Sequence, residues 1–389
     1  MNSFPTADRG CWHRLSTFLA AFGCSAIIGT CPILQAQTLS VETVRSVAQL
    51  QQAQQKPAQF RLHLIDIGTG LAILVEGSDF KLLFDAGSAD DKKTNSKLGS
   101  KSRLVAYLNA ALGRLNQPHC RSLGDVDVKS SANAPMLDFV FLSHPHEDHL
   151  SQLLPVLQCF AVKTLWEPGI MHKTAGYQQF RQFMQDDKTI QYHTAVKQPC
   201  PRGLRASSHC SSIFQIGEEI KLGQQASAKV LHVGNQPNHH PNLYSVVLKL
   251  QLGTTSVLLT GDAESGARAQ WHLAPGATEK FLLANFPDEL TADILQVGHH
   301  GSITSSRQPF LQAIKPKIAL ISAGPKKYGS VVLPDQAVVD ALTRLGADIY
   351  RTDVNDQQGC PVIDKIGAND PGNPGGCDNY LIRIQNTLP

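Results

Sequence analysis

The residues best suited to chemistry stand in one stretch, Ser143-His144-Pro145-His146-Glu147-Asp148-His149-Leu150. Three imidazoles and a carboxylate fall within six residues, a composition that suits divalent metal ions. The run Leu137-Asp138-Phe139-Val140-Phe141-Leu142 comes directly before it and reads as a buried strand. The stretch therefore belongs on a loop leaving the C-terminal end of a strand, where an extended backbone can aim alternate side chains at one point. Taken alone, these residues could bind one or two cations. The competing reading is a His-rich surface loop, against which residue type, spacing and strand context agree.

Other chemistry-bearing residues also follow apolar runs. Asp262 comes after Leu258-Leu259-Thr260-Gly261, where each carboxylate oxygen could hold one of two cations; alternatively it caps a helix over residues 263–272. His299 and His300 follow Leu295-Gln296-Val297-Gly298. One imidazole could complete a second metal while the other faces the reacting group. The expectation is His299 for the metal, and His300, with the backbone near Gly301 and Ser302, for stabilising developing charge. Lys326, Lys327 and Tyr328 follow the run Ile318 to Ser322, where they could hold a phosphate or form a solvated basic turn. Asp85 ends the run Lys81 to Phe84 as a turn former. Polar residues at successive strand ends place a ligand site at one edge of a layered α/β fold.

The elements that must position these residues read as follows. Phe60 to Ile67 and Leu71 to Glu76 form a hairpin across Gly68-Thr69-Gly70. Leu104, Leu108, Ala111 and Leu112 repeat at helical spacing, as do Tyr177, Phe180 and Met184. Tyr244 to Leu250, Ser256 to Thr260, Ile294 to Val297 and Ile318 to Ser322 are strands of a second half, and Pro334 to Leu345 is a helix with proline in its first turn. Residues 37–59 are rich in glutamine and read as a linker or a loosely packed helix, so the main domain spans residues 60–389.

Composition bounds the class. The 389 residues are 42% hydrophobic and 17% charged, which marks a globular chain and excludes a disordered one. A net charge of +3 is too small to argue for nucleic acid by itself. Arg9, His13 and Arg14 precede an apolar run from Leu15 to Leu34, so residues 1–36 read as a signal peptide or N-terminal anchor, and periplasmic or extracellular export is expected. No other run is of membrane length. Of nine cysteines, Cys11, Cys24 and Cys31 fall in that leader. The six others suggest disulfides; Cys200 with Cys210 and Cys360 with Cys377 bracket loop-like sequence, leaving Cys120 with Cys159, although six cysteines allow fifteen pairings.

The His-x-His-x-Asp-His stretch resembles the signature of the metallo-β-lactamase superfamily. The resemblance implies a four-layer αββα sandwich, with His144 and His146 on one metal and Asp148 and His149 on a second. It also implies that Asp85 braces the metal loop. Leu64-Ile65-Asp66-Ile67-Gly68-Thr69-Gly70, Leu83-Phe84-Asp85-Ala86-Gly87, Thr260-Gly261-Asp262-Ala263-Glu264, His299-His300-Gly301-Ser302 and Tyr350-Arg351-Thr352-Asp353 narrow the likeness to the hydrolase domain of ComEC-type DNA-uptake proteins. Family members carry Asp where this chain has Leu71, and often His-Pro at Leu333-Pro334. Asn242 stands near the place of the third metal-one histidine of lactamase-like members, as in the ComEC-type branch.

The resulting expectation is an exported hydrolase with two divalent ions, zinc or alternatively manganese. A metal-bridged hydroxide would attack a phosphodiester, with extracellular or periplasmic DNA the leading substrate. Asp148 and His300 would be the catalytic residues, and Ser302, Lys326, Lys327 and Tyr328 would bind substrate. Alternatives are a phosphodiesterase for phosphorylcholine-type esters, a lactonase or thioesterase, and a binding protein that kept the fold without turnover.

Overall fold

The computed structural model describes residues 37–91, 102–112, 136–187, 189–197, 212–235, 240–356, 365–366 and 375–386. The expected leader lies outside these residues. Among them, no helix is long and apolar enough to cross a membrane.

Two sheets face each other. The first has nine strands in the order Gln37–Val44, Asn379–Asn386, Phe60–Leu64, Gly70–Glu76, Lys81–Ser88, Met136–Phe141, Ala161–Glu167, Gln191–Thr194 and Ser212–Ile213. The second has seven, in the order Asp348–Arg351, Ile318–Ile321, Ile294–Gln296, Thr255–Leu259, Val247–Leu252, Ala226–His232 and Glu219–Gly223. Each sheet is antiparallel on one side and parallel on the other, and the site residues leave the parallel strands.

Strand periodicity explains the layering. Along Gly70–Glu76, Leu71, Ile73 and Val75 enter the core between the sheets, whereas Ala72 and Leu74 face a second core under helices. The helices Val47–Gln55, Arg103–Ala111, Leu153–Cys159 and Ala175–Asp186 cover that outer face. On the second sheet, Val257 and Leu259 face inward, and Leu258 packs outward in a core that includes residues of Ala277–Asn285, Gln308–Ile314 and Gln336–Arg344. Helix, sheet, sheet and helix make the four layers expected from the sequence. Strands buried on both faces read as continuous apolar runs, which is why these were legible.

Residues 37–59 are not a linker throughout. Gln37–Val44 pairs antiparallel with Asn379–Asn386 along its whole length, and Val47–Gln55 is a helix that buries Leu50 and Ala53, with the Ser46 hydroxyl accepting from the Gln49 amide at 3.3 Å. A strand with only Leu39, Val41 and Val44 apolar and a helix with two buried positions leave little hydrophobic signal within a Gln-rich segment. The helix over 263–272, the alternative reading of Asp262, is not found among the described residues; a single 3-10 turn, Arg268–Gln270, stands there. Leu71 and Leu333, where the chain departs from the expected family pattern, are both buried and serve packing here.

Cys159 and Cys377 each take part in a disulfide. Cys120, Cys200, Cys210 and Cys360 lie outside the described residues, and the expected pairings lie there with them.

Candidate metal centre

The metal loop is fixed by the end of the neighbouring strand. Asp85 adopts a left-handed φ of 59°, uncommon for a residue with a side chain. Its carboxylate accepts from the Ser143 amide at 2.6 Å and the Ser143 hydroxyl at 2.7 Å, and meets His149 Nδ1 at 2.7 Å. The expected brace is therefore present. Close approach needs glycine on both sides of the loop: a Cβ on Gly87 would stand 2.2 Å from the His149 amide nitrogen, and one on Gly261 would stand 2.7 Å from the Ser143 Cβ.

From this support the side chains converge. His144 Nε2 stands 3.0 Å from His146 Nδ1 and 3.8 Å from Asp262 Oδ2. His149 Nε2 lies 3.1 Å from Asp262 Oδ1, and His300 Nε2 lies 3.6 Å from Asp148 Oδ2 and 3.8 Å from Asp262 Oδ2. Two overlapping groups bring their ligand atoms within 4.8 Å of one another: His144, His149 and Asp262, and Asp148, His149 and His300. The Asp262 alternative as a helix cap is thus not realised.

These residues fit cations. His149 Nε2, Asp262 Oδ1 and His300 Nε2 are buried and make no hydrogen bond among the described residues, although the first two face each other at 3.1 Å. Convergent polar atoms without hydrogen-bond geometry are costly unless something else satisfies them. The electrostatics agree. Burial disfavours a charged His149, yet the Asp262 and Asp85 carboxylates hold its imidazole well above the usual histidine range. Burial likewise opposes ionisation of Asp262, but His149, His300 and His299 hold its carboxyl well below the usual range. The pocket is built around carboxylate charge that calls for positive partners.

The adjacent histidines take different places in the site. His300, expected to face the reacting group, belongs to the cluster with Asp148 and His149, and its Nδ1 meets the Ser322 carbonyl oxygen at 2.8 Å. His299 stands outside both groups, with Nε2 3.8 Å from Asp262 Oδ2 and Nδ1 against Thr304 Oγ1 at 2.7 Å and Glu264 Oε1 at 3.2 Å. Among the expected substrate residues, the Tyr328 hydroxyl donates to Asp148 Oδ2 at 2.9 Å, and Lys326 Nζ lies 4.8 Å from the Tyr328 ring centre. Lys327 is exposed on the same turn. The Ser302 hydroxyl is engaged internally, by Arg268 at 3.3 Å and Thr304 Oγ1 at 3.0 Å.

Sequence reasoning gave no role to Glu264 or His172, and offered His239 or His240 only as a substitute ligand. Glu264, two residues past Asp262, accepts from Asn242 Nδ2 at 3.0 Å, and its spacing was readable. His172 and His240 stack edge-on at 6.0 and 5.7 Å from the His146 ring, and nothing local signalled His172.

The comparisons with known proteins agree with this geometry. The Metallo-beta-lactamase superfamily model matches residues 65–324. ComE operon protein 3 of Bacillus subtilis is 30% identical over 287 residues, 70% of this chain and 32% of its own length. Competence protein ComA of Neisseria gonorrhoeae is 25% identical over 291 residues, 75% of this chain and 30% of its own. The chain spans about a third or less of the curated relatives it matches. Among solved structures, the metallo-beta-lactamase fold protein YhfI from Bacillus subtilis is 14% identical with a TM-score of 0.40, over 76% of this chain and 97% of that one. By the family match and the residues that carry it, the chain belongs to the metallo-beta-lactamase superfamily, whose members are in general metal-dependent hydrolases, and is similar within it to ComEC-type competence proteins.

Proposed function

We propose that the chain is an exported phosphodiesterase that uses two divalent cations to hydrolyse DNA. The observation that carries the hydrolytic reading is the placement of Asp262, whose two carboxylate oxygens face imidazoles of both halves of the chain. His144 and His146 would hold one cation, Asp148, His149 and His300 the other, and Asp262 both. The nitrogen-rich donor set suits zinc first and manganese second. When loaded, such a centre offers activation of water and neutralisation of charge growing on a phosphoryl oxygen.

The chain's own residues supply the rest. The Tyr328 hydroxyl fixes one oxygen of Asp148, and the Lys326 and Lys327 ammonium groups sit on that turn, where a phosphate would meet positive charge. Ser302 acts through Thr304, which orients His299, and not on substrate. DNA as substrate is supported by relatives whose names refer to competence and recombination. Export is supported by the apolar leader and by the disulfide-bonded Cys159 and Cys377.

The test is to load the purified protein with zinc or manganese and assay a generic phosphodiester and DNA. Cleavage of both, lost in Asp148→Asn, is the expected result. A protein that binds two cations but cleaves only lactones or thioesters would overturn the nuclease reading, and one that cleaves nothing would point to binding alone. For compartment, intact-mass analysis before and after reduction should show loss of about the first 36 residues and few free thiols.

A further inference from the structure

We infer that Asp66 is a positioning residue for the cation held by Asp148, His149 and His300: it ties the turn behind Asp148 and His300 to the chain segment that the Cys377 disulfide anchors. The inference rests on the two-cation reading above.

Asp66 is fully buried and stands outside both groups of converging ligand atoms. An ionised carboxylate is costly to bury unless its oxygens are satisfied. Here Oδ2 accepts from the Cys377 amide at 2.9 Å and the Asp378 amide at 3.0 Å, and Oδ1 accepts from the Gly68 amide at 3.2 Å. Burial pushes the carboxyl up to about 6, and the Arg103 charge with the Asp378 and Gly68 amides limits that rise, so the group is ionised at neutral pH. The Asp66 amide donates in turn to Asn379 Oδ1 at 2.9 Å. One residue thus joins the turn at 66–70 to the segment at 377–379, where Cys377 takes part in a disulfide.

The same turn supports the cation position. The Ser322 hydroxyl donates to the Gly70 carbonyl oxygen at 2.7 Å. The Ser322 carbonyl oxygen accepts from His300 Nδ1 at 2.8 Å, which leaves Nε2 for a cation. His300 needs this support, because its φ of 54° is left-handed and persists only where the surroundings dictate it. A Cβ on Gly70 would stand 2.7 Å from the Asp148 carbonyl oxygen, so turn and metal loop are in direct contact. The Lys326 amide donates to Thr69 Oγ1 at 3.1 Å, which fixes the start of the basic turn. Asp66 therefore acts through Gly68, Gly70 and Ser322, and not as a ligand.

The test is the affinity for each of two zinc ions, measured by competition with a chromophoric chelator. Circular dichroism confirms folding, and cobalt in place of zinc reports the ligand arrangement through its visible spectrum. Asp66→Asn keeps the shape but turns an NH2 group toward backbone donors. The folded variant should bind one zinc about 10–100-fold more weakly, keep the other affinity, and show an altered cobalt spectrum. Ser322→Ala keeps the carbonyl that holds His300 and should weaken the same ion. The double variant should lose no more than the larger single loss, because both changes cut one line of support. Cys377→Ser keeps the amide donor and removes the disulfide, and a smaller loss at the same ion is expected. It replaces Asp66→Asn in the cycle if that variant does not fold. The inference is overturned if Asp66→Asn lowers Tm while both affinities and the cobalt spectrum match wild type, or if the two losses multiply in the double variant. Wild-type affinities in Cys377→Ser would overturn the anchoring by the disulfide. Wild type that takes up no zinc overturns the inference together with the two-cation reading. Wild type that binds two ions but cleaves no phosphodiester overturns only the substrate.

Discussion

The two halves of the centre are built differently. The first is one contiguous loop, His144 to His149, clamped by Asp85 and the glycines at 87 and 261, with His144 and His149 fully buried. The second is assembled from the ends of separate strands: Asp262 after Thr255–Leu259, and His299 and His300 after Ile294–Gln296. One half takes its precision from packing against a neighbouring turn. The other takes it from strained backbone and from hydrogen bonds to each imidazole's far nitrogen. Damage to the first should thus act through the loop as a unit, and damage to the second residue by residue.

The largest effect expected is at Asp262, where the halves meet. Asp262→Ala removes the oxygens that face His144, His149 and His300. Both ions should be weakened and turnover should fall by about a thousandfold or more, a loss of several kcal/mol of charge stabilisation. Metal content measured beside kcat checks this; unchanged stoichiometry would show that the halves work independently.

Next is Gly87→Ala, which tests the clamp. The added Cβ would meet backbone atoms of Asp148 and His149 at 2.2–2.3 Å, and backbone cannot swing aside as a side chain can. The metal loop should shift as a block, lowering Tm and the affinity for both ions together. If Tm alone falls, the clamp contributes stability but not alignment. Asp85→Asn should be milder. It keeps the shape but weakens the bond to His149 Nδ1, and about a 10–100-fold loss of metal affinity is expected at the second position with the fold intact.

This difference in construction also governs what the sequence could reveal. A contiguous loop puts candidate ligands at short, telling spacings, so the gathering of His144, His146, Asp148 and His149 was readable, while the Asp85 brace followed from the family resemblance. Strand ends scattered along a chain can be found by their positions, and Asp262 and the histidine pair were. Where each histidine of the pair points was not, because two successive left-handed residues, which no composition or period announces, turn their side chains. Ser302 looked free to bind substrate, but its hydroxyl meets Arg268 from another segment and Thr304 of its own loop. The sandwich itself was legible through its continuous apolar runs. The strand at 37–44 was not, since it is an edge strand whose pairing partner lies more than 300 residues away.

The smallest effect concerns the support behind the second half. Glu279 is buried, and its carboxylate accepts from the Ser306 and Arg307 amides on the loop that follows the histidine pair. Burial pushes its carboxyl up to about 7 from 4.5, only partly offset by Ser265, these amides and the Arg307 charge. A carboxyl that binds its proton more tightly folded than unfolded stabilises the fold fully below about pH 4.5 and loses that contribution as pH rises through about 7. Glu279→Gln is neutral at every pH, so it should match wild type near pH 4.5 and exceed it at pH 8. The measurement is Tm of both proteins across that range in chelator, so that metal binding does not enter. The difference between the two curves isolates this one group from other buried carboxyls, such as Asp66, that titrate in the same direction. A difference that stays flat with pH would mean that Glu279 is ionised throughout and that Arg307 neutralises it. The second half would then be held by a buried ion pair, and would resemble the clamped first half more closely than its hydrogen bonds suggest.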